Sequence, residues 1–296
     1  MKILNFGSLN YDYVYSVDHI VAPGETISST KLEVFCGGKG LNQSVALAKA
    51  GAEVYHAGML GQDGEMLRNT CKENGINDKH IKTVDERTGN AIIQVSGQGQ
   101  NSIVLFGGAN RKNSKEYIDS VLSDFNAGDM LLLQNEVNLV DYLIERAYEK
   151  QIIIALNPSP FDEEMTKCDF SKVSIFLMNE VEGEQITGEK EPDKILSVMK
   201  SKYPNAKVVL TLGKAGVVYS DKEMSCKHGI YRVKVVDTTA AGDTFTGYFL
   251  SSMLQNKPID EALRIASVAS SLAVSKKGAT SSIPYLKEVL SAKLEQ

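Results

Sequence analysis

Through residues 130–212 the chain alternates between short apolar runs and longer amphipathic stretches. The runs 130–133, 152–156, 174–178 and 207–212 are rich in Leu, Ile and Val with little polar alternation, the pattern of strands buried on both faces of a parallel sheet. The stretches 139–150 and 193–203 are amphipathic and long enough to be crossover helices of βαβ units. This spacing predicts an α/β body with helices on both faces of a mostly parallel central sheet.

Two stretches break the alternation. Residues 90–108 hold strand-like segments at 91–95 and 102–106 around the turn Gly97-Gln98-Gly99-Gln100-Asn101, which predicts an antiparallel hairpin. Residues 11–36 are similarly strand-like around Pro23-Gly24-Glu25. Together, 11–36 and 90–108 are expected to form one small β-rich lid on a single domain spanning 1–296, since no repeat or low-complexity linker divides the chain.

Composition narrows the function classes. With 296 residues, 43% of them apolar, the chain can bury a large core. A net charge of −5, from 32 basic and 37 acidic residues without a long block of either sign, argues against a nucleic-acid arm or a polybasic membrane patch. The apolar runs fall far short of the roughly 18 residues of a membrane span. Cys36, Cys71, Cys168 and Cys226 are dispersed and form no C-x-x-C pair, against a zinc site or disulfide framework. The start has no long apolar core of a secretion signal. The expectation is a soluble protein of the reducing cytoplasm.

Candidate chemistry lies where strands end and helices begin. Walker A is absent, because Gly40 follows Gly38-Lys39 and Ala215 follows Gly213-Lys214. Gly97-Gln98-Gly99 sits in a predicted hairpin, where no phosphate-binding helix can follow. The run Ala240-Ala241-Gly242-Asp243 leads into an apolar helix over 246–254. Small residues before a helix let a phosphate approach free backbone N–H groups, which reads as an anion hole with an acid in its first turn. An isolated Asp there would read as a plain helix cap, but the Ala-Ala-Gly run before Asp243, which offers backbone and little side chain, favours the anion hole. The cluster Gly37-Gly38-Lys39-Gly40-Leu41-Asn42-Gln43 before a helical stretch at 44–50 is either a tight turn or a place where polyol hydroxyls meet backbone, Lys39 and Asn42. Asn10 and Asp12, Glu136, Asn157-Pro158-Ser159-Pro160, and Asn179 with Glu182 each follow an apolar run. Such recurrence at successive strand ends marks one functional rim.

These motifs, in this order over nearly the full length, resemble the ribokinase-like (phosphofructokinase B-type) carbohydrate kinases. The resemblance rests on Gly7-Ser8-Leu9-Asn10-Tyr11-Asp12, Pro23-Gly24-Glu25-Thr26, the 37–43 glycine cluster, Asn157-Pro158, Asn179-Glu180-Val181-Glu182 and Asp237 through Asp243. It implies a three-layer α/β/α body with a small β-sheet lid, and phosphoryl transfer from ATP to the hydroxymethyl group of a sugar. The expected acceptor is a pentose, D-ribose foremost. The alternatives are fructose, a deoxy sugar or a nucleoside, or a sugar-binding regulatory protein that has lost catalysis. The resemblance makes Asp243 the base, with Ala240, Ala241 and Gly242 forming the anion hole. Asn10, Asp12, Gly38, Lys39, Asn42 and Glu136, together with Asp243, would bind the sugar. ATP would meet Asn179, the loop Thr211, Leu212, Gly213, Lys214, Ala215 and Gly216, then Gly242, and Ser267 beside the adenine. Glu182 would organise Mg²⁺ indirectly, and Asp237, Thr239, Ala273, Lys276, Gly278 and Ser282 would hold K⁺, mostly through backbone carbonyls. Apart from the resemblance, lid strands with exposed edges often pair between subunits, so a homodimer through 90–106 is expected. Four departures from the family pattern stand out: Ser267 replaces a histidine, Cys36 an aromatic, and Tyr248 a small residue, while Asn90 follows Thr88-Gly89 in the lid.

Overall fold

A computed structural model describes residues Met1–Gln296. The chain begins with β1 (Ile3–Phe6), then turns outward into β2 (Asn10–Val17) and β3 (Lys31–Gly37). Helix α1 (Lys39–Lys49), β4 (Val54–Leu60), α2 (Glu65–Glu73) and β5 (Asn77–Thr83) return it to the body. After β6 (Gly89–Ser96) and β7 (Asn101–Phe106) come α3 (Lys115–Leu122), β8 (Met130–Gln134), α4 (Val140–Glu149) and β9 (Ile153–Asn157). The run continues with β10 (Ile175–Asn179), α5 (Glu180–Thr187), α6 (Pro192–Lys202) and β11 (Lys207–Thr211). It closes with β12 (Val217–Ser220), β13 (Ser225–His228), α7 (Ala241–Leu254), α8 (Ile259–Val274) and α9 (Leu286–Ser291).

Nine strands form the central sheet in the order β13-β12-β11-β10-β9-β8-β1-β4-β5, parallel except for β12 and β13 at one edge. The apolar runs of the sequence are buried on both faces, as their lack of alternation requires. In β8, Met130 and Leu132 pack with α1, α7 and α8, whereas Leu131 and Leu133 pack against α3 and α4. Each such side chain contributes about 1.5–3 kcal/mol on burial. The strands run one residue further than their apolar runs: Gln134 closes β8, Asn157 closes β9 and Asn179 closes β10. Backbone pairing continues through these polar residues, with Gln134 opposite Asn157 and Asn179 opposite Thr211. The polar rim is therefore in register at the carboxyl ends of adjacent strands, where α/β sheets hold ligands.

The expected β-rich flap is a separate four-stranded sheet in the order β3-β2-β6-β7. Its two hairpin-like pairs are antiparallel and are joined by the parallel pair β2–β6. Tyr248, one departure from the family pattern, is fully buried, and its hydroxyl donates to the Pro284 carbonyl at 2.6 Å. Its bulk ties α7 to the segment before α9 and leaves the rim untouched. No helix is long and apolar enough to cross a membrane.

Candidate active site

The N-termini of α1 and α7 meet at the rim. Helix α7 starts at Ala241, five residues before the apolar stretch that announced it, so Asp243 lies in its first turn. Asp243 is 6% exposed. Two adjacent side chains of α1 hold its carboxylate: Asn42 Nδ2 donates to Oδ2 at 3.0 Å and Gln43 Nε2 to Oδ1 at 2.9 Å. The backbone N–H groups of Ala240, Gly242 and Asp243 make no hydrogen bond within the chain, whereas that of Ala241 turns back to the Thr238 carbonyl at 3.2 Å. The free donors at the positive end of α7 are thus Ala240, Gly242 and Asp243, with Ala241 withdrawn by the turn that starts the helix.

Asn10 and Asp12 lie two apart on β2, and both are buried. The Asp12 carboxylate lies against the Cα of Gly37, where an added Cβ would stand 2.1 Å from Oδ2. Gly38 follows with φ 89°, a conformation that side-chain-bearing residues rarely adopt, and this bend sets Lys39 at the start of α1. Asn10 is held by Asn110, whose Nδ2 donates to Asn10 Oδ1 at 2.7 Å, leaving the Asn10 amide N–H₂ free to donate. Glu136 Oε2 accepts from the Ser8 hydroxyl and from the Lys39 backbone N–H, the latter at 2.9 Å. Its other oxygen is left open.

Electrostatics joins these groups. Burial, reinforced by Glu136 and Asp243, pushes the Asp12 carboxyl up to about 7. Burial also raises Glu136 above the usual carboxylate range. Burial works against charge on Lys39, but Asp243, Glu136 and Glu182 outweigh it and hold the ammonium above its ordinary value. Two acceptors have unmet capacity: no donor of the chain reaches the Asp12 carboxylate, and Asn42 Oδ1 is buried without a partner.

On the far side of Asp243, one cavity is lined by Lys39, Asn157, Asn179, Glu182, Thr211, Gly242 and Asp243. Asn179 and Glu182 form a capping box on α5. Asn179 Oδ1 accepts from the Val181 and Glu182 N–H groups, and Glu182 accepts from the Asn179 backbone at 2.7 Å and its Nδ2 at 3.0 Å. Each Glu182 oxygen keeps a further lone pair toward the cavity, which fits a water of a hydrated Mg²⁺. The turn Leu212–Gly216 follows Thr211 outside the lining, and Ser267 sits buried in α8 without lining the cavity.

Of the residues read as a cation loop, three are tied together. Asp237 accepts from the Thr239 N–H at 3.0 Å and hydroxyl at 2.5 Å, and from the Gly278 N–H at 3.0 Å. These bonds outweigh burial and hold its carboxyl below the usual range. One lone pair of Oδ2 remains for a hard cation. The Ala273 carbonyl accepts from the Lys276 N–H at 3.0 Å, and the side chains of Lys276 and Ser282 are turned to Glu288 and the Ala279 carbonyl.

Ser8, Gln43, Asn110 and Gln134 were not among the expected site residues. Gln43 adjoins Asn42 in the glycine cluster, and Gln134 ends an apolar strand fully buried, which is the signal that such an amide has work to do.

A family model described as pfkB family carbohydrate kinase matches residues 1–286. The chain belongs to this family. It is 38% identical to a ribokinase of Haemophilus influenzae over 96% of this chain and 95% of that one. A crystal structure of ribokinase from Thermotoga maritima matches with TM-score 0.88 at 32% identity, covering 98% of both chains. A structure of Arabidopsis thaliana ribokinase complexed with ribose and ATP matches with TM-score 0.85 at 29% identity, covering 98% of this chain and 97% of that one.

Proposed function

We propose that this protein transfers the γ-phosphoryl group of ATP to the hydroxymethyl oxygen of a pentose, with D-ribose the best acceptor. The observation that carries this is the unmet acceptor capacity near Asp243: the buried Asp12 carboxylate, which meets no donor of the chain. Hydroxyl donors of a polyol complete it. Asn10, Asp12, Gly38, Lys39, Asn42 and Glu136 hold the sugar with its hydroxymethyl group at Asp243. Asp243 accepts the hydroxyl proton as the oxygen bonds to phosphorus, and the bond to the β-phosphate oxygen breaks to release ADP. The free N–H groups at the start of α7 stabilise charge on the transferring group, and catalysis is mostly such positioning and electrostatics.

ATP binds at the cavity on the far side of Asp243, against Asn179 and Thr211, and extends beyond that lining to the 212–216 turn. Glu182 would hold Mg²⁺ through a water, and the ion would supply neutralisation of phosphate charge. The small sheet acts as a lid on a kinase domain that spans the chain. Strand β7 at its edge exposes Ile103, Val104, Leu105 and Phe106, which suits pairing with a second copy. All four cysteines are free, which suits a reducing cytoplasm.

A coupled ADP-release assay across D-ribose, 2-deoxyribose, fructose, adenosine and pseudouridine tests the reading. The highest kcat/KM is expected for D-ribose, because a site built for hydroxyls leaves buried groups unpaired when one is missing. Faster turnover of another member at limiting concentration overturns the ribose assignment, and sugar binding without turnover favours a regulatory protein.

A second expectation arises from the loop tied by Asp237. Carbonyl oxygens beside one carboxylate suit a weakly hydrated monovalent cation next to the anion hole. Activity is expected to be higher in potassium than in sodium or lithium buffers. Equal rates in all three would make the loop structural only.

A further inference from the structure

We infer that Gln43 is a positioning residue for Asp243, and that its donor orientation is dictated by a buried chain of amides running back to main-chain carbonyls. This rests on Asp243 being the base. Gln43 is fully buried and takes no part in the sugar or ATP contacts assigned above. Its side chain could face Asp243 with either end, and only the N–H₂ end is useful to a carboxylate.

The choice is fixed from a distance. Asn5 lies against the Gly40 carbonyl at 2.7 Å, and a carbonyl only accepts, so Asn5 must point its Nδ2 there. Asn5 Oδ1 then faces Gln134, which must donate, and does so from Nε2 at 2.9 Å. The same Gln134 Nε2 meets Gln43 at 2.7 Å, so Gln43 must present Oε1 to it. That leaves Gln43 Nε2 for Asp243 Oδ1. Asn157 repeats the argument from the other side: its Nδ2 is committed to the Leu177 carbonyl at 2.7 Å, so its Oδ1 accepts from Gln43 Nε2 at 3.2 Å.

The far end is anchored too. Burial pushes His56 down to about 4, so the neutral ring donates from Nε2 to the Gly7 carbonyl at 3.2 Å and accepts the Ser44 hydroxyl at Nδ1 at 2.8 Å. Ser44 Oγ is thereby an acceptor for Asn5 Nδ2 at 2.8 Å, in the same sense as the Gly40 carbonyl. Three main-chain carbonyls, of Gly40, Leu177 and Gly7, all impose one polarity. The consequence is a carboxylate with Oδ1 pinned by a donor that cannot rotate, so that it keeps one orientation toward the acceptor hydroxyl. Misplacement of a reacting group by a fraction of its contact distance is costly in rate and leaves binding largely intact.

The test uses Gln43→Met, which removes the donor, and Gln43→Glu, which keeps the size and the bond from Gln134 but faces Asp243 with an O–H donor when protonated and a repelling carboxylate when ionised. Steady-state kinetics with D-ribose and ATP are measured beside thermal unfolding, in the parent and in an Asp243→Asn background. Loss of a hydrogen bond to a charged group corresponds to about ten- to a hundredfold. That loss is expected in kcat, with both KM values near those of the parent, and for Gln43→Glu it grows as rising pH ionises the new carboxyl. A group that acts through Asp243 has nothing to act on once Asp243 is replaced, so the kcat loss should vanish in that background. Full kcat in folded Gln43→Met, or in Gln43→Glu at every pH, overturns the inference, as does an equal fold-loss in both backgrounds, which marks a general packing role. If Asp243→Asn alone keeps parental kcat, the reading of Asp243 as base has failed instead, a result distinct from active Gln43 variants beside an impaired Asp243→Asn.

Discussion

Asp243→Asn is expected to lower kcat by about 10²–10⁴-fold, the usual contribution of a general base, while sugar and ATP affinities by calorimetry stay close to the parent. The amide has the carboxylate's size but cannot take the hydroxyl proton. It also has a single oxygen, so it can satisfy only one of the two donors, Asn42 and Gln43, that now share Asp243. A stability loss of about 1–3 kcal/mol follows from the donor left facing an N–H₂ group. These two effects separate the roles of Asp243. A structural cap would show the stability loss with near-parental turnover, whereas the base shows the collapse of kcat in a protein that still folds and binds.

Asp12→Ala is expected to raise the sugar KM by about ten- to a hundredfold, the effect of losing a hydrogen bond to a charged group, with the ATP KM unchanged. Asp12 lies against bare backbone at Gly37 and meets no donor of the chain, so its partner must come from the ligand. Its pH behaviour gives a second signature. The empty site holds Asp12 protonated up to about 7, first through burial and then through Glu136 and Asp243, against 3.8 for the unperturbed group. The sugar is bound by the ionised form, so the parent's sugar KM should rise as pH falls below about 7, and Asp12→Ala should lose that dependence. Stability runs in the opposite sense. The folded chain keeps a proton that the unfolded chain releases, so the sugar-free protein should lose stability as pH rises from about 4 to about 7. An unchanged sugar KM in a folded Asp12→Ala protein would make Asp12 a structural residue.

The body of the fold was legible because its strands are short apolar runs buried on two faces, a pattern that helices on one face cannot produce. Strand ends were less so. Gln134, Asn157 and Asn179 are polar and end an apolar period, yet their backbones still pair, so hydrophobicity places each boundary one residue early. The two strand-rich stretches announced the small sheet but not the parallel pairing of β2 with β6, which joins residues some eighty positions apart without a local signal. Within the site, glycines and charged residues were readable from short motifs. The amides behind them were not, because Asn5, Gln43 and Gln134 matter through the direction of their dipoles, and that depends on carbonyls brought near only by folding.

The central claim is transfer of phosphate to the hydroxymethyl oxygen of D-ribose. Phosphorus NMR of a reaction containing the protein, ATP, magnesium and D-ribose tests it most directly, because it reports both the bond broken and the bond made. One new phosphomonoester coupled to the C5 methylene protons, formed in step with ADP, is predicted. Absence of the ester, an ester at another carbon, or ADP and inorganic phosphate formed without it would contradict the assignment.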